Sequence, residues 1–93
     1  MGQRYVVRAS GQDQQQPLVF LLTMFAAHEV QPRAQLALRT SPFYELRELQ
    51  VEPARDSLLI SGSVSSFYYK QLAQEVVRSV CAEIDVVNSI RVR

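Results

Sequence analysis

The sequence predicts an α+β domain with element order αββαβ from Ala34 onward, in which two helices cover one face of a three-stranded mixed sheet. Alternating apolar and polar residues around Val51, and again from Leu58 to Val64, indicate two strands joined as a hairpin. A segment with helical periodicity follows, and a further alternating segment ends the chain. Because a helix separates the last strand from the hairpin, we expect that strand to run parallel to one hairpin strand.

Size and composition are those of one small globular domain. The chain has 93 residues, of which 47% are hydrophobic and 20% charged, and its net charge is +1. From Ala34 onward seven basic and seven acidic residues balance each other. Because nucleic-acid binding draws much of its affinity from a basic surplus, this balance argues against DNA or RNA as a partner. We divide the chain into an N-terminal extension, residues 1–33, and a domain, residues 34–93.

The extension contains an apolar run from Pro17 to Ala27. As a helix this run would span roughly 16 Å, about half the hydrocarbon thickness of a bilayer. With Arg4 and Arg8 ahead of it and small residues at its end, the run is typical of a secretory signal. The alternatives are an extra helix with Pro17 at its first position, or an interfacial membrane helix. An export signal would place the protein in the periplasm or cell envelope; otherwise we expect it in the cytoplasm.

The first helix and the hairpin are bounded by prolines. We expect Pro32 to end the extension and Pro42 to close a short helix, residues 34–40. Leu49 and Val51 then alternate with polar residues, and Pro53 is expected to end the ladder of the first strand. After a turn at residues 53–57, the second strand places one set of side chains on the core face: Leu58, Ile60, Gly62 and Val64.

A long helix and a last strand complete the predicted order. Ser65 or Ser66 is the expected N-cap. The helix stripe expected to face the sheet consists of Tyr69, Leu72, Ala73, Val76 and Val80, and the opposite, solvated side consists of Lys70, Gln71, Gln74, Arg78 and Ser79. In the last strand, residues 86–92, the expected inner face carries Asn88, Ile90 and Val92.

About two thirds of the chain resembles the BON domain, a small bacterial module named for osmotically inducible and nodulation-related proteins. The resemblance is carried by Leu38, Val51, Ile60-Ser61-Gly62-Ser63-Val64, Ala73, Val76 and Val87-Asn88-Ser89-Ile90-Arg91-Val92. The chain departs from the family pattern at Arg55-Asp56 and Glu83-Ile84. The resemblance implies the αββαβ order, a non-catalytic binding role, attachment to phospholipid membranes and a place in the periplasm or cell envelope.

The residues offer little for catalysis or cofactor binding. His28 and Cys81 are the single histidine and cysteine, whereas structural zinc is usually held by four such ligands. Cys81 is expected to be a small buried hydrophobe and His28 a surface or helix-end residue. The three glycines are too scattered to form a phosphate-binding loop, and no GxxG loop of a KH module occurs. We therefore expect no enzyme activity, no metal and no cofactor.

Aromatic residues at the start of the long helix form the candidate binding site. One interpretation is that these rings close the end of the core. The other is that Phe67 and Tyr68 insert at a lipid headgroup boundary beside Lys70, with Phe43 and Tyr44 extending the patch. A protein partner or a second copy of the chain is the alternative ligand, docking on a sheet edge or on the segment from Leu18 to Phe25. Gly62 is predicted to be a structural turn residue.

Overall fold

The computed structural model describes the backbone of residues 7–93 and the side chains of residues 18–93. Arg4 of the expected secretory signal lies outside these residues. The chain forms three helices and five strands in this range: α1 (Val7–Arg39), α2 (Tyr44–Arg47), β1 (Gln50–Ala54), β2 (Ser57–Ser61), β3 (Ser63–Val64), α3 (Phe67–Val80), β4 (Asp85–Asn88) and β5 (Arg91–Val92).

The predicted α+β class and mixed sheet are confirmed. The three-stranded sheet has the order β1-β2-β4, with β1 antiparallel and β4 parallel to the central strand β2. The parallel pair β3–β5 keeps the register of β2–β4. Ser89 N donates to Ile60 O at 2.9 Å, and Arg91 N donates to Gly62 O at 2.9 Å. The pair β3–β5 is thus a separate two-stranded sheet that continues the direction and register of β2–β4, and these two backbone bonds connect the sheets across the interruption at Gly62.

The core lies between the sheet and the two long helices. Both α1 and α3 contact the sheet and each other, so they pack side by side on one face. The core face predicted for the second strand is confirmed for Leu58, Ile60 and Val64, which are fully buried. It is wrong for Gly62, which is exposed where the strand divides into β2 and β3. The other fully buried large side chains of this core are Leu38, Leu46, Leu49, Val51, Val77 and Ile90.

Helix α1 continues through both of its prolines, so the expected break at Pro32 and the expected start at Pro17 are wrong. A proline inside a helix removes one hydrogen bond and crowds the preceding turn, at a cost of about 3 kcal/mol. Tertiary contacts on both sides of Pro32 offset that cost. Ala27 precedes it and Ala34 follows it, and both are fully buried against the core. Pro32 itself is exposed, on the solvent side of the helix.

The β1 ladder also continues past Pro53, which pairs with Leu58, so the expected end of that ladder is wrong. β1 is an edge strand, where a residue that lacks an N–H is tolerated if that position faces away from the neighbouring strand. The outward groups of β1 bind side chains of α1. Gln31 Nε2 donates to Val51 O at 2.7 Å, Gln35 Nε2 donates to Leu49 O at 2.8 Å, and Val51 N donates to Gln35 Oε1 at 2.9 Å.

The α3 helix begins as predicted and buries a slightly different stripe. Ser66 is its N-cap and accepts a bond from Tyr69 N at 3.4 Å. Val77, absent from the predicted stripe, is fully buried together with Ala73, and the other predicted stripe residues are half-buried. Gln74, expected on the solvated side, accepts a bond from Asn88 Nδ2 at 3.0 Å.

One element between the main ones was not predicted: α2, a single turn whose Leu46 is fully buried. The hairpin turn lies within the predicted residues 53–57. It is tight, because Ala54 pairs with Ser57, and Arg55 has a φ of 59°. The Arg55 guanidinium lies 5.7 Å from the centroid of the Phe20 ring, within cation–π range. This contact ties the hairpin tip to the part of α1 that precedes Ala27.

Gly62, the predicted structural turn residue, lies between β2 and β3. It interrupts the strand there but does not reverse the chain direction. Its φ is +129°, which side chains rarely adopt, and a Cβ at this position would lie 2.7 Å from Leu49 Cδ2. We expect Gly62→Ala to lower the free energy of unfolding by about 1–3 kcal/mol, because the backbone strain remains even if Leu49 moves. Urea unfolding measures this loss. Ser63→Ala, at the exposed neighbouring position, is the control, and equal effects in the two variants would contradict the explanation.

The amide bonds from α1 to β1 give a second prediction. Gln35→Met keeps the length of the side chain and leaves Leu49 O and Val51 N without their partner. We expect the free energy of unfolding to fall by about 1–3 kcal/mol, the usual cost of unpaired and partly buried polar groups. Gln71→Met makes the same replacement at an exposed position of α3 and should be nearly neutral. Similar urea midpoints for the two variants would show that the amide bonds contribute little.

Candidate functional site

Two short segments bring five aromatic residues to one end of the molecule. Phe43 and Tyr44 lie where the chain enters α2, and Phe67, Tyr68 and Tyr69 form the first turn of α3. The ring centroids of Phe43 and Tyr69 are 6.2 Å apart, and those of Tyr68 and Tyr69 are 5.5 Å apart, both edge to face. We call these five residues the aromatic end. Tyr69 is its centre, because it contacts a ring from each segment.

The aromatic end exposes most of its ring surface. Tyr44 is 72% exposed, and Phe67 and Tyr68 are each 62% exposed. Phe43 is less exposed because its ring packs on Tyr69, which is half-buried against the core. One ring of the five, that of Tyr69, therefore packs against the core. At least three rings, those of Tyr44, Phe67 and Tyr68, remain exposed for contact with a ligand. Single exposed apolar residues are ordinary, but several from adjoining segments form a candidate binding surface.

Glu45 joins the two segments of the aromatic end. Its carboxylate accepts hydrogen bonds from Ser65 N at 2.7 Å and from the Ser65 hydroxyl. It also pairs with Arg93 at 3.4 Å, and its side chain is 11% exposed. The hydrogen bond from the Ser65 hydroxyl, with the backbone bond and Arg93, holds the pKa of Glu45 below its ordinary value against the opposing effect of desolvation. We call these contacts of Glu45 with Ser65 and Arg93 the Glu45 clamp. The clamp depends on an ionised carboxylate.

Basic groups border the aromatic end. Lys70 follows it on α3 and is half-buried, and its carbonyl accepts a bond from Asn88 Nδ2 at 2.9 Å. The exposed Arg47 donates to the carbonyl oxygens of Ser41 and Pro42, next to Phe43. Such a surface joins aromatic rings with cationic side chains, and these groups suit an interface between apolar and anionic surroundings.

The surface grooves are open and polar. One groove beside the aromatic end is lined by Tyr44, Glu45, Glu48, Ser63 and Arg93. Another lies along α3 and is lined by Gln71, Gln74, Glu75, Arg78 and Ser79. Small-molecule sites are usually enclosed and mostly apolar with a few polar groups. Neither groove has that character, so contact with a surface suits the aromatic end better than enclosure of a small ligand.

The remaining candidate residues have ordinary structural positions. Cys81 is buried, and its thiol donates to Val77 O at 2.9 Å, while burial raises the pKa of that thiol. His28 is exposed on α1. Among the side chains of residues 18–93, no three His, Cys, Asp or Glu residues are grouped so as to hold a metal ion.

The two docking sites considered for a protein partner differ in how far they are covered. At the β1 edge, Val51 and the carbonyl oxygen of Leu49 are bonded to Gln31 and Gln35, whereas β4 forms the other edge of the three-stranded sheet. The segment from Leu18 to Phe25 lies on α1 with several apolar side chains in solvent. Among the helices in the described part of the chain, none has an apolar stretch long enough to span a bilayer.

Comparison with known proteins found no match among family models, curated proteins or solved structures.

The Glu45 clamp predicts acid sensitivity. Because the pKa of Glu45 in the folded protein lies below the ordinary 4.5, its contribution to stability is complete above pH 4.5 and is lost as the pH falls through the folded value. We expect Glu45→Gln to be less stable than the wild type at pH 7, with the difference shrinking under acid conditions. Urea unfolding at pH 7 and at a series of pH values below 4.5 tests this. Glu48→Gln is the control, and a Glu45→Gln deficit that does not shrink as the pH falls through this series would contradict the role of the charge.

Proposed function

We propose that this protein is a non-catalytic binding module of BON type that attaches to anionic phospholipid surfaces through its aromatic end. The observation that carries the proposal is the exposure of Tyr44, Phe67 and Tyr68, each more than 60%, at one end of the molecule. Two segments contribute these rings, and the Glu45–Ser65 bonds hold the segments together. The rings are therefore presented as a group, and binding does not have to order them first.

The chemistry of these residues fits the boundary between lipid headgroups and acyl chains. Tyrosine and phenylalanine rings transfer apolar surface out of water there, and the tyrosine hydroxyl stays hydrated. A lysine stem can lie along the apolar layer while its ammonium group reaches the phosphates, as proposed for Lys70. Because the net charge of the chain is only +1, the rings rather than the charge supply most of the affinity. We therefore expect weak, reversible attachment.

The family resemblance supports the same function independently of the geometry. BON domains are envelope or periplasmic modules for which phospholipid attachment is the usual proposed activity, and the resemblance covers the residues from Leu38 to Val92. It implies no catalytic residues. The proposed function therefore needs no cofactor, and its site consists of surface side chains.

The test is co-sedimentation with vesicles of phosphatidylglycerol, compared with vesicles of phosphatidylcholine. We expect the wild type to bind the anionic vesicles. The double variant Phe67→Ser/Tyr68→Ser should bind them about tenfold or more weakly, because it lacks two rings that would transfer apolar surface out of water. Val87→Ser removes an apolar side chain that is 49% exposed on β4 and should leave binding unchanged. A wild type that remains in the supernatant would rule out the proposal, and full binding by the double variant would rule out the site.

A further inference from the structure

The sheet edge that β4 forms and β5 continues differs from the edge formed by β1. At the β1 edge, side-chain amides of α1 bind backbone groups of the strand. A strand edge in contact with solvent is usually protected by lysine, proline, a bulge or a covering element. β4 has the sequence Asp-Val-Val-Asn, which contains neither lysine nor proline, and it keeps one register with β2 throughout. Its outer side can therefore pair with a further strand.

The backbone bonds of this segment show which of its groups face outward. The N–H groups of Ser89 and Arg91 donate inward, to carbonyl oxygens of the neighbouring segment. Because the backbone groups of successive strand residues point to opposite sides, those of Val86, Asn88 and Ile90 point away from β2. Among the hydrogen bonds of the described side chains, one reaches these groups: Ile90 N donates to Asn88 Oδ1 at 3.2 Å. The outward groups of Val86 and Asn88 remain for a further strand.

The side chains along this edge on the open face of the sheet are all exposed. They are Asp85, Val87, Ser89, Arg91 and Arg93. The acidic residue lies at the start of the edge and the two basic residues at its end, with Val87, which is 49% exposed, between them. Reversal of the chain direction places acid against base. The edge is therefore complementary in charge to an antiparallel copy of itself.

We propose that a second copy of this chain pairs with this edge, β4 against β4, antiparallel about a two-fold axis at Val87. Val86 of each copy then lies opposite Asn88 of the other copy. This hydrogen-bonded pair exchanges two backbone bonds and occurs twice, so four bonds form. Ile90 N keeps its bond to Asn88 Oδ1, because this register uses no outward group beyond Asn88.

The same register brings complementary side chains together on the open face. The two Val87 side chains meet at the axis, where the Cα atoms of a non-hydrogen-bonded pair lie about 4.5 Å apart. Asp85 lies opposite Ser89 of the other copy and is diagonal to Arg91 of that copy, within reach of an ion pair. A parallel pair in register would instead place Asp85 beside Asp85, and like charges directly opposite are destabilising.

Helix α3 borders this edge with polar side chains. Gln74 lies on the side of α3 nearest the edge, because its Oε1 accepts a bond from Asn88 Nδ2 at 3.0 Å. The open groove on that side also contains the exposed Glu75 and Arg78. The paired edges form one six-stranded sheet with the long helices on one face, so the two α3 helices lie side by side. Each contributes one acidic and one basic side chain to this groove, so the border carries no net charge.

Sedimentation equilibrium of the full chain over an approximately hundredfold range of concentration tests the association. We expect the mass to rise from 10.6 kDa toward twice that value. Val87→Lys should stay monomeric, because it places two ammonium groups side by side at the axis. Gln50→Lys makes the same change of charge at an exposed position of the β1 edge and should associate as the wild type does.

Two results would overturn the association. A wild type that stays monomeric would do so, and would leave a strand of a different protein as the occupant of this edge. Equal loss of association in Val87→Lys and Gln50→Lys would also do so, because the pairing involves the β4 edge and not the β1 edge.

Cross-linking in a Cys81→Ala background tests the register. The Cα distance of a non-hydrogen-bonded pair lies within the range of a disulfide, so we expect Val87→Cys chains to form a covalent dimer under mild oxidation. Glu52→Cys is the control, because Glu52 lies in the same row of the sheet as Val87 but at the β1 edge. Equal cross-linking of these two variants would overturn the pairing. Stronger cross-linking of Ser89→Cys than of Val87→Cys would overturn the proposed register.

Discussion

The bonds from Gln31 and Gln35 to the outer edge of β1 determine how the rest of the molecule is arranged. These two amides take the place of a neighbouring strand, because they satisfy backbone donors and acceptors that an edge strand would otherwise leave open. They fix both the rotation of α1 and its position along the strand. Ala34 and Leu38 are then directed into the core, and the opposite side of the helix faces solvent.

Fixing α1 in this way separates the two exposed apolar surfaces. The end of α1 at Arg39 leads directly to Phe43 and the aromatic end. The exposed apolar side chains of α1 lie about four turns or more before that end, at Leu18, Leu21, Leu22 and Phe25. The longest dimension of the molecule is 61 Å, most of it along α1. Contact of the aromatic end with another surface therefore leaves these side chains of α1 uncovered.

The strands and α3 could be predicted from sequence because their signals are local. Leu58, Ile60 and Val64 lie an even number of residues apart, with Ser61 and Ser63 at the odd positions between the last two, and a serine is the N-cap of α3. The course of α1 could not be predicted, because the penalty of Pro32 is visible in the sequence whereas the compensating bonds of Gln31 and Gln35 involve β1, about 15–20 residues away. Val77 was not predicted for a similar reason. The sequence shows which face of a helix is apolar, but the residues at the borders of that face can be assigned only when the packing partner is known.

The candidate site also combines a feature that has a local sequence signal with one that depends on a distant contact. The exposed rings of Phe67 and Tyr68 follow from a short sequence cluster, but the role of Glu45 depends on Ser65, 20 positions later. A carboxylate in a single helical turn gives no sign in the sequence of what it will bind. Contacts between distant segments make the aromatic end one surface, and those contacts are what a single sequence conceals.

The exposed apolar side chains of Leu18, Leu21, Leu22 and Phe25 have no explanation within the fold of one chain. The residues that anchor α1 on the sheet, Gln31, Ala34, Gln35 and Leu38, all follow Ala27, so the sheet is held by the second half of the helix. Phe20, in the first half, contacts the hairpin tip, and Leu18, Leu21, Leu22 and Phe25 remain in solvent. A secretory signal would account for their apolar character, but it requires no particular helical phase. These four side chains share one phase, because their spacing of i, i+3, i+4 and i+7 places them on one face of α1, and composition alone does not account for that phase.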